Sequence, residues 1–181
     1  MILNNNLAVQ ALLDREAIRE CLYRYCRGID RRDEEALRSA YWPDATDRHG
    51  PYQGSAEGFI DWALGKLKTS DARIVHRISN PLIELQGDQA LVESYFDAIQ
   101  EETDAEGRPV EALLSGRYLD RFERRGDEWR ILARTVVYDR MRHVITTQVL
   151  TAEAFGVRQP VGGQYPVDPL YGFLGRNGSS K

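Results

Sequence analysis

Residues 14–33 read DREAIRECLYRYCRGIDRRD. Within them Ile18, Leu22, Tyr25 and Ile29 recur at i, i+4, i+7 and i+11, the spacing of one apolar stripe on an α-helix. Asp14 suits the N-cap position ahead of Arg15-Glu16-Ala17. Gly28 lies near the end, and the polar run from Asp30 to Asp33 breaks the pattern. The stretch predicts a long helix with one apolar face, which must be buried against another element. Residues 1–13 are expected to lead raggedly into it.

Outward from this helix the pattern changes twice. A second short helix is expected from about Asp33 to Tyr41, with Ala36, Leu37 and Ala40 inward and Pro43 stopping it. Asp44 to His49 reads as a short strand ended by Gly50-Pro51. A third helix is expected from Ser55, its cap, to about Lys68, with Phe59, Ile60, Trp62, Ala63 and Leu67 apolar. Strand signals follow. Arg73 to Leu85 is rich in β-branched residues and interrupted at Pro81. Gly87-Asp88 marks a turn, and Ala90 to Gln100 alternates imperfectly. Residues 101–108 form an acidic loop. Val110 to Arg124 and Glu128 to about Thr147 make two more strands joined by the hairpin signal Gly126-Asp127. Helices first and antiparallel strands after define an α+β fold, helices on one face of a bent sheet that encloses a pocket. This domain is expected over residues 1–148. The remainder, 149–181, is broken by Gly and Pro yet holds Phe155, Tyr165, Leu170, Tyr171, Phe173 and Leu174. It is expected to dock on the pocket or on a neighbouring subunit.

Composition narrows the chemistry. A chain of 181 residues, 42% hydrophobic and 29% charged, suits one domain with a real core. A net charge of −4 offers no footprint for nucleic acid or an anionic membrane. No apolar run is long enough to span a membrane and the start lacks a signal-peptide pattern, so a cytoplasmic protein is expected. Cys21 and Cys26 are five residues apart on one helix, a spacing that does not face them together. The three histidines, His49, His76 and His143, show no metal-ligand spacing. No phosphate-cradling glycine motif occurs. Neither a metal nor a cofactor is expected.

Several stretches together resemble the SnoaL-like branch of the nuclear transport factor 2 superfamily. They are Tyr23-Arg-Tyr-Cys-Arg-Gly-Ile-Asp-Arg-Arg-Asp, Tyr41-Trp-Pro-Asp-Ala, Ile74-Val-His-Arg-Ile-Ser-Asn-Pro, and the closing hairpin from Gly116-Arg-Tyr to Arg134-Thr-Val-Val-Tyr-Asp. The likeness runs over about residues 10–142. It implies a cone, helices wrapped by a curved sheet around a cavity. Within that superfamily the chain is similar to scytalone dehydratase, bile-acid 7α-dehydratase and hexachlorocyclohexane dehydrochlorinase. These are cofactor-independent lyases that use an Asp–His pair. The resemblance places the Asp at Asp30, the His at His76 and an accessory Tyr at Tyr25. It puts further polar positions at Asp97 and Arg134, with Arg140 or Arg142 beyond. The small subunits of ring-hydroxylating dioxygenases share the fold without being catalytic, which keeps a non-enzyme reading open.

The residues carry their own argument. His76 shares a strand side with Ile74 and Ile78. A buried imidazole needs a partner; a carboxylate would fix its tautomer and leave the other nitrogen as a general base. The plain alternative is a structural core histidine. Asp30 at a helix C-terminus is disfavoured by the helix dipole, although by itself it reads as a solvated acid. Tyr25 lies on the apolar stripe as either core or an oxyanion donor. Asp97 and Arg134 are flanked by apolar strand neighbours. They either contact substrate or pair with each other. His49 is placed at the cone mouth, Tyr138 completes the substrate-binding set, and His143 is expected at the surface. Trp42, Trp62 and Trp129 read as core. The expected function is elimination by a cofactor-independent lyase on a hydrophobic, hydroxylated aromatic or polycyclic molecule. Alternatives are retro-aldol-type C–C cleavage such as loss of formaldehyde, isomerisation, polyketide-type cyclisation, or a non-catalytic binding subunit. A homotrimer or homodimer is expected, with Val75, Leu113, Leu119 and Val136 as outer contacts.

Overall fold

The computed structural model describes residues 2–68, 73–104, 106–145 and 160–175. The long first helix, α1, spans Ile2–Arg31. It begins a dozen residues before the expected cap at Asp14, because nothing from Ile2 onward breaks a helix once it is nucleated. Asp14 instead sits mid-helix. It is buried and accepts from the indole Nε1 of Trp129 at 2.9 Å. Leu7, Leu12 and Leu13 stay exposed on these added turns.

At its other end α1 closes on Arg32, whose φ is +54°, and Asp33 N donates back to Gly28 O at 2.9 Å. Helix α2 is short, Glu34–Arg38, capped by Asp33 through Ala36 N. It folds back so closely that a Cβ on Gly28 would lie 2.6 Å from the Leu37 backbone. The strand expected from Asp44 starts earlier, as β1 Tyr41–His49, with Pro43 inside it. Strand β2 is Tyr52–Ser55 and helix α3 is Ala56–Lys68. Ser55 caps α3 as expected, accepting from Gly58 N at 3.1 Å.

Strands β3 Ile74–Gln86, β4 Gln89–Thr103, β5 Pro109–Arg125 and β6 Glu128–Ile145 complete the sheet. The strand order is β2-β1-β6-β5-β4-β3, and β1 runs parallel to β6 while every other pairing is antiparallel. Register shifts at Ser79/Leu82, Ser115/Gly116 and Arg121/Phe122 each add a bulge, which bends the sheet. The result is the α+β fold expected, a curved, unclosed sheet with the helices against its inner face.

The core lies between the α1 stripe Ile18, Leu22, Tyr25, Ile29, the α3 residues Phe59, Ile60, Leu64, and inward strand residues such as Phe96, Tyr118, Phe122 and Ile131. Trp129 is fully buried, whereas Trp42 and Trp62 only flank the core. Cys21 and Cys26 are free and buried, and burial pushes their thiols up to about 11 and about 12. Val136, expected on the outer face, points inward and is buried, because the bulge at Leu132 resets the alternation along β6. Val75 and Leu119 are exposed, and Leu113 is half-buried. Phe155 and the rest of 149–159 lie outside the described residues. The described part of the tail folds into a short helix, α4 Pro169–Phe173, and docks on the α1–α2 turn of its own chain. No described helix is long and apolar enough to cross a membrane.

Candidate active site

Asp30 and His76 meet. The last turn of α1 carries the carboxylate to β3, where His76 Nδ1 lies 2.6 Å from Asp30 Oδ1. The backbone N–H of His76 donates to the same carboxylate, 3.0 Å from Oδ2. Ring and backbone together fix the carboxylate from two directions. With a carboxylate accepting, Nδ1 carries the ring proton and Nε2 presents its lone pair. Strand alternation puts His76 on the inner face with Ile74 and Ile78, and its register partner is Ala98. The two side chains keep 11% and 9% exposure, enough for contact with a ligand and little enough to strengthen the pair electrostatically.

Tyr25 stands beside them, its ring edge-on to His76 at 6.5 Å between centroids. It is fully buried, and its hydroxyl, beside the Arg134 guanidinium, finds no protein acceptor. Burial drives its phenol far above the ordinary range, so it is a neutral O–H group. Tyr41 and Tyr118 pack edge-on against it at 6.0 and 5.8 Å.

Arg134 is inside as well, but it does not pair with Asp97, one of the two alternatives the sequence leaves open. Arg134 donates through Nε and Nη2 to Asp120 at 2.7 Å each, with both side chains wholly buried. The bulge at Leu132 brings Arg134 opposite Asp120 on the inner face. Its guanidinium lies 4.2 Å over the Tyr25 ring and 4.0 Å over the Tyr118 ring, a double cation–π contact. Burial opposes its charge, and Asp120 with the neighbouring tyrosines outweighs that, so it stays a cation. Asp97 instead faces outward, exposed, and accepts from Ser115 Oγ at 2.6 Å. Its strand face is opposite to that of Phe96 and Ala98, so it lines no inner wall.

His49 and Tyr138 lie across the sheet from His76. His49 stacks on Phe59 at 4.6 Å and meets Tyr138 edge-on at 6.3 Å. Its Nδ1 is 3.6 Å from Asp47 Oδ1, and Tyr41 Oη donates to Asp47 Oδ2 at 2.6 Å. Tyr138 reaches Phe96 edge-on at 6.1 Å. Rings thus line the inner face from His49 to Tyr25. His143, Arg140 and Arg142 are exposed near the end of β6. Sequence reasoning missed Asp47 and Asp120. Both had a signal: each shares its strand side with inward neighbours, Asp47 with Ala45 and His49, Asp120 with Tyr118 and Phe122. A groove of about 480 Å³ bordered by Leu82, Leu91, Leu119 and Thr135 lies away from the pair, on the outer side of the sheet. Among the described residues, no group of three or more potential ligands could hold a metal ion.

No curated protein matches the chain. Solved structures share its fold. A hexachlorocyclohexane dehydrochlorinase of type 2 superposes with a TM-score of 0.67 at 21% identity, covering 81% of this chain and 99% of that one. A Novosphingobium aromaticivorans protein assigned as a scytalone dehydratase gives 0.67 at 20% identity, covering 78% and 95%. A protein from the same organism assigned as the β subunit of an aromatic-ring-hydroxylating dioxygenase gives 0.59 at 22% identity, covering 73% and 93%. The SnoaL-like domain matches residues 10–135, more than half of the sequence. The chain belongs to the SnoaL-like domain family.

Proposed function

We propose that this protein is a cofactor-independent lyase in which His76, oriented by Asp30, removes a proton from a hydrophobic, hydroxylated aromatic or polycyclic substrate. The observation that carries the reading is the 2.6 Å contact between His76 Nδ1 and Asp30 Oδ1 on an inner wall of apolar and aromatic residues. Asp30 holds the tautomer and stabilises the imidazolium formed when Nε2 takes the proton. Tyr25, neutral and without a protein acceptor, donates to the substrate oxygen as charge develops there. His49 and Tyr138 form the far side of the substrate wall. Arg134 spends Nε and Nη2 on Asp120 and acts through the two tyrosine rings it underlies. Loss of water is the leading outcome, since two of the structures sharing the fold carry elimination names, a dehydratase and a dehydrochlorinase. Retro-aldol cleavage, isomerisation or cyclisation would use the same proton transfer.

The test is a panel of hydroxylated aromatic and polycyclic compounds, each incubated with the wild-type protein and with His76→Ala. Mass spectrometry would follow loss of water or formaldehyde. Turnover by the wild type and its collapse in the variant are expected. Equal turnover in a folded His76→Ala protein would sink the assignment. The rival reading, a non-catalytic subunit, has the dioxygenase β subunit as its fold relative and expects no turnover by either protein. Whichever reading holds, self-association is proposed on the outer sheet face, where Val75, Leu82, Leu91 and Leu119 are exposed. Light scattering should show a dimer or trimer, and a clean monomer would refute this.

A further inference from the structure

The described tail, residues 160–175, reaches back to the turn that bears Asp30. Tyr165 N donates to Arg31 O at 2.7 Å. Asp168 forms an ion pair with Arg31 Nε at 3.1 Å. Tyr171 Oη donates to Asp33 Oδ2 at 2.8 Å. These anchors lie on the residues directly after Asp30, and Tyr171, Asp168 and Asp33 are all buried. The tail segment is itself built around Asp168, which accepts from Gly163 N at 2.7 Å and Leu170 N at 3.0 Å. Burial pushes the Asp168 carboxyl up, and these donors with Arg31 outweigh that and hold it below the usual carboxylate range.

The Asp30 turn needs such support for two reasons. A carboxylate at a helix C-terminus faces the negative end of the dipole. Arg32, two residues on, has a φ of +54°, a left-handed conformation that a residue with a Cβ resists. Left alone, a helix end of this kind frays. We infer that Tyr171 and Asp168 are positioning residues: the tail braces the end of α1 and so holds the Asp30 carboxylate on His76. The inference rests on Asp30–His76 being the working pair.

The test reads that pair directly in the full chain and needs no substrate. In ¹⁵N-labelled protein, the Nδ1 proton of His76 is assigned by NMR through its loss in Asp30→Ala, which removes the acceptor, and its exchange with water is measured. The Nε1 proton of Trp129, bonded to Asp14 on a distant turn of α1, serves as the internal reference. In Tyr171→Phe and in Asp168→Asn, the His76 proton should exchange about tenfold faster, as expected for losing one hydrogen bond or ion pair that restrains a local opening. The Trp129 proton should not change. Unchanged His76 exchange in both variants, with the signal still lost in Asp30→Ala, would overturn the brace and leave the pair standing. Equal acceleration of both protons would also overturn it, since that reports general loosening. A His76 signal that survives Asp30→Ala would remove the pair, and the inference with it. If Tyr171→Phe does not fold, Asp168→Asn alone decides.

Discussion

Two ion pairs on the inner face show how differently the fold uses charge. Arg134–Asp120 has no exposed side-chain surface, two parallel hydrogen bonds and a tyrosine ring on either side of the cation. Asp30–His76 has one shorter side-chain contact, backed by the His76 backbone N–H, keeps a little exposure and joins a helix end to a strand. The first pair links two neighbouring strands and has almost no accessible surface left for a substrate. The second keeps a little exposed surface on both side chains. Burial alone therefore does not mark a site. What separates the two pairs is the small exposure that Asp30 and His76 keep and Arg134 and Asp120 lack.

The contrast can be broken at either pair. The largest effect is expected at His76. His76→Ala should lower kcat on any substrate found by at least about 100-fold, the lower end of general acid–base catalysis, with little change in the urea midpoint. Asp120→Asn should do the opposite. It strands a buried guanidinium and should cost about 3–5 kcal/mol in urea unfolding; a loss below about 1 kcal/mol would show that the pair is not sealed as described. Gly28→Ala probes the turn beneath Asp30, where the new methyl would meet the Leu37 backbone at 2.6 Å. Overpacking of this kind should cost about 1–3 kcal/mol, and a neutral result would mean that α2 can shift away. Asp97→Asn, on the outer face, should change stability by no more than about 0.5 kcal/mol and leave turnover alone. A large loss of turnover there would return Asp97 to the site.

The outline of the fold was legible because its signals are local. The stripe Ile18, Leu22, Tyr25, Ile29, the cap at Ser55 and the Gly126-Asp127 turn each act within a few residues. The start of α1 was not legible, because Asp14 offers a good cap and nothing local says that its carboxylate is taken by Trp129, 115 residues away. Tyr41 was assigned to a helix by its neighbours Leu37 and Ala40. Pairing with Ile131 on β6 makes it a strand residue, a tertiary override of local pattern. At the site, the inward placement of His76 followed from alternation. The partner of Arg134 did not, because a one-residue bulge exchanges faces and no pattern in the sequence announces it.

Local chemistry in the sequence by itself determined which groups could act: one histidine on an apolar strand side, one carboxylate at a helix end, no metal-ligand spacing and no phosphate cradle. Only the tertiary structure decided which of them meet. Asp30 reaches His76 because the end of α1 crosses β3. Asp120, not Asp97, takes Arg134 because the bulge in β6 turns it inward. The tail reaches the α1–α2 turn although more than a hundred residues separate Asp33 from Tyr171. Such contacts depend on chain geometry summed over many residues, whereas a sequence pattern carries only the preferences of near neighbours.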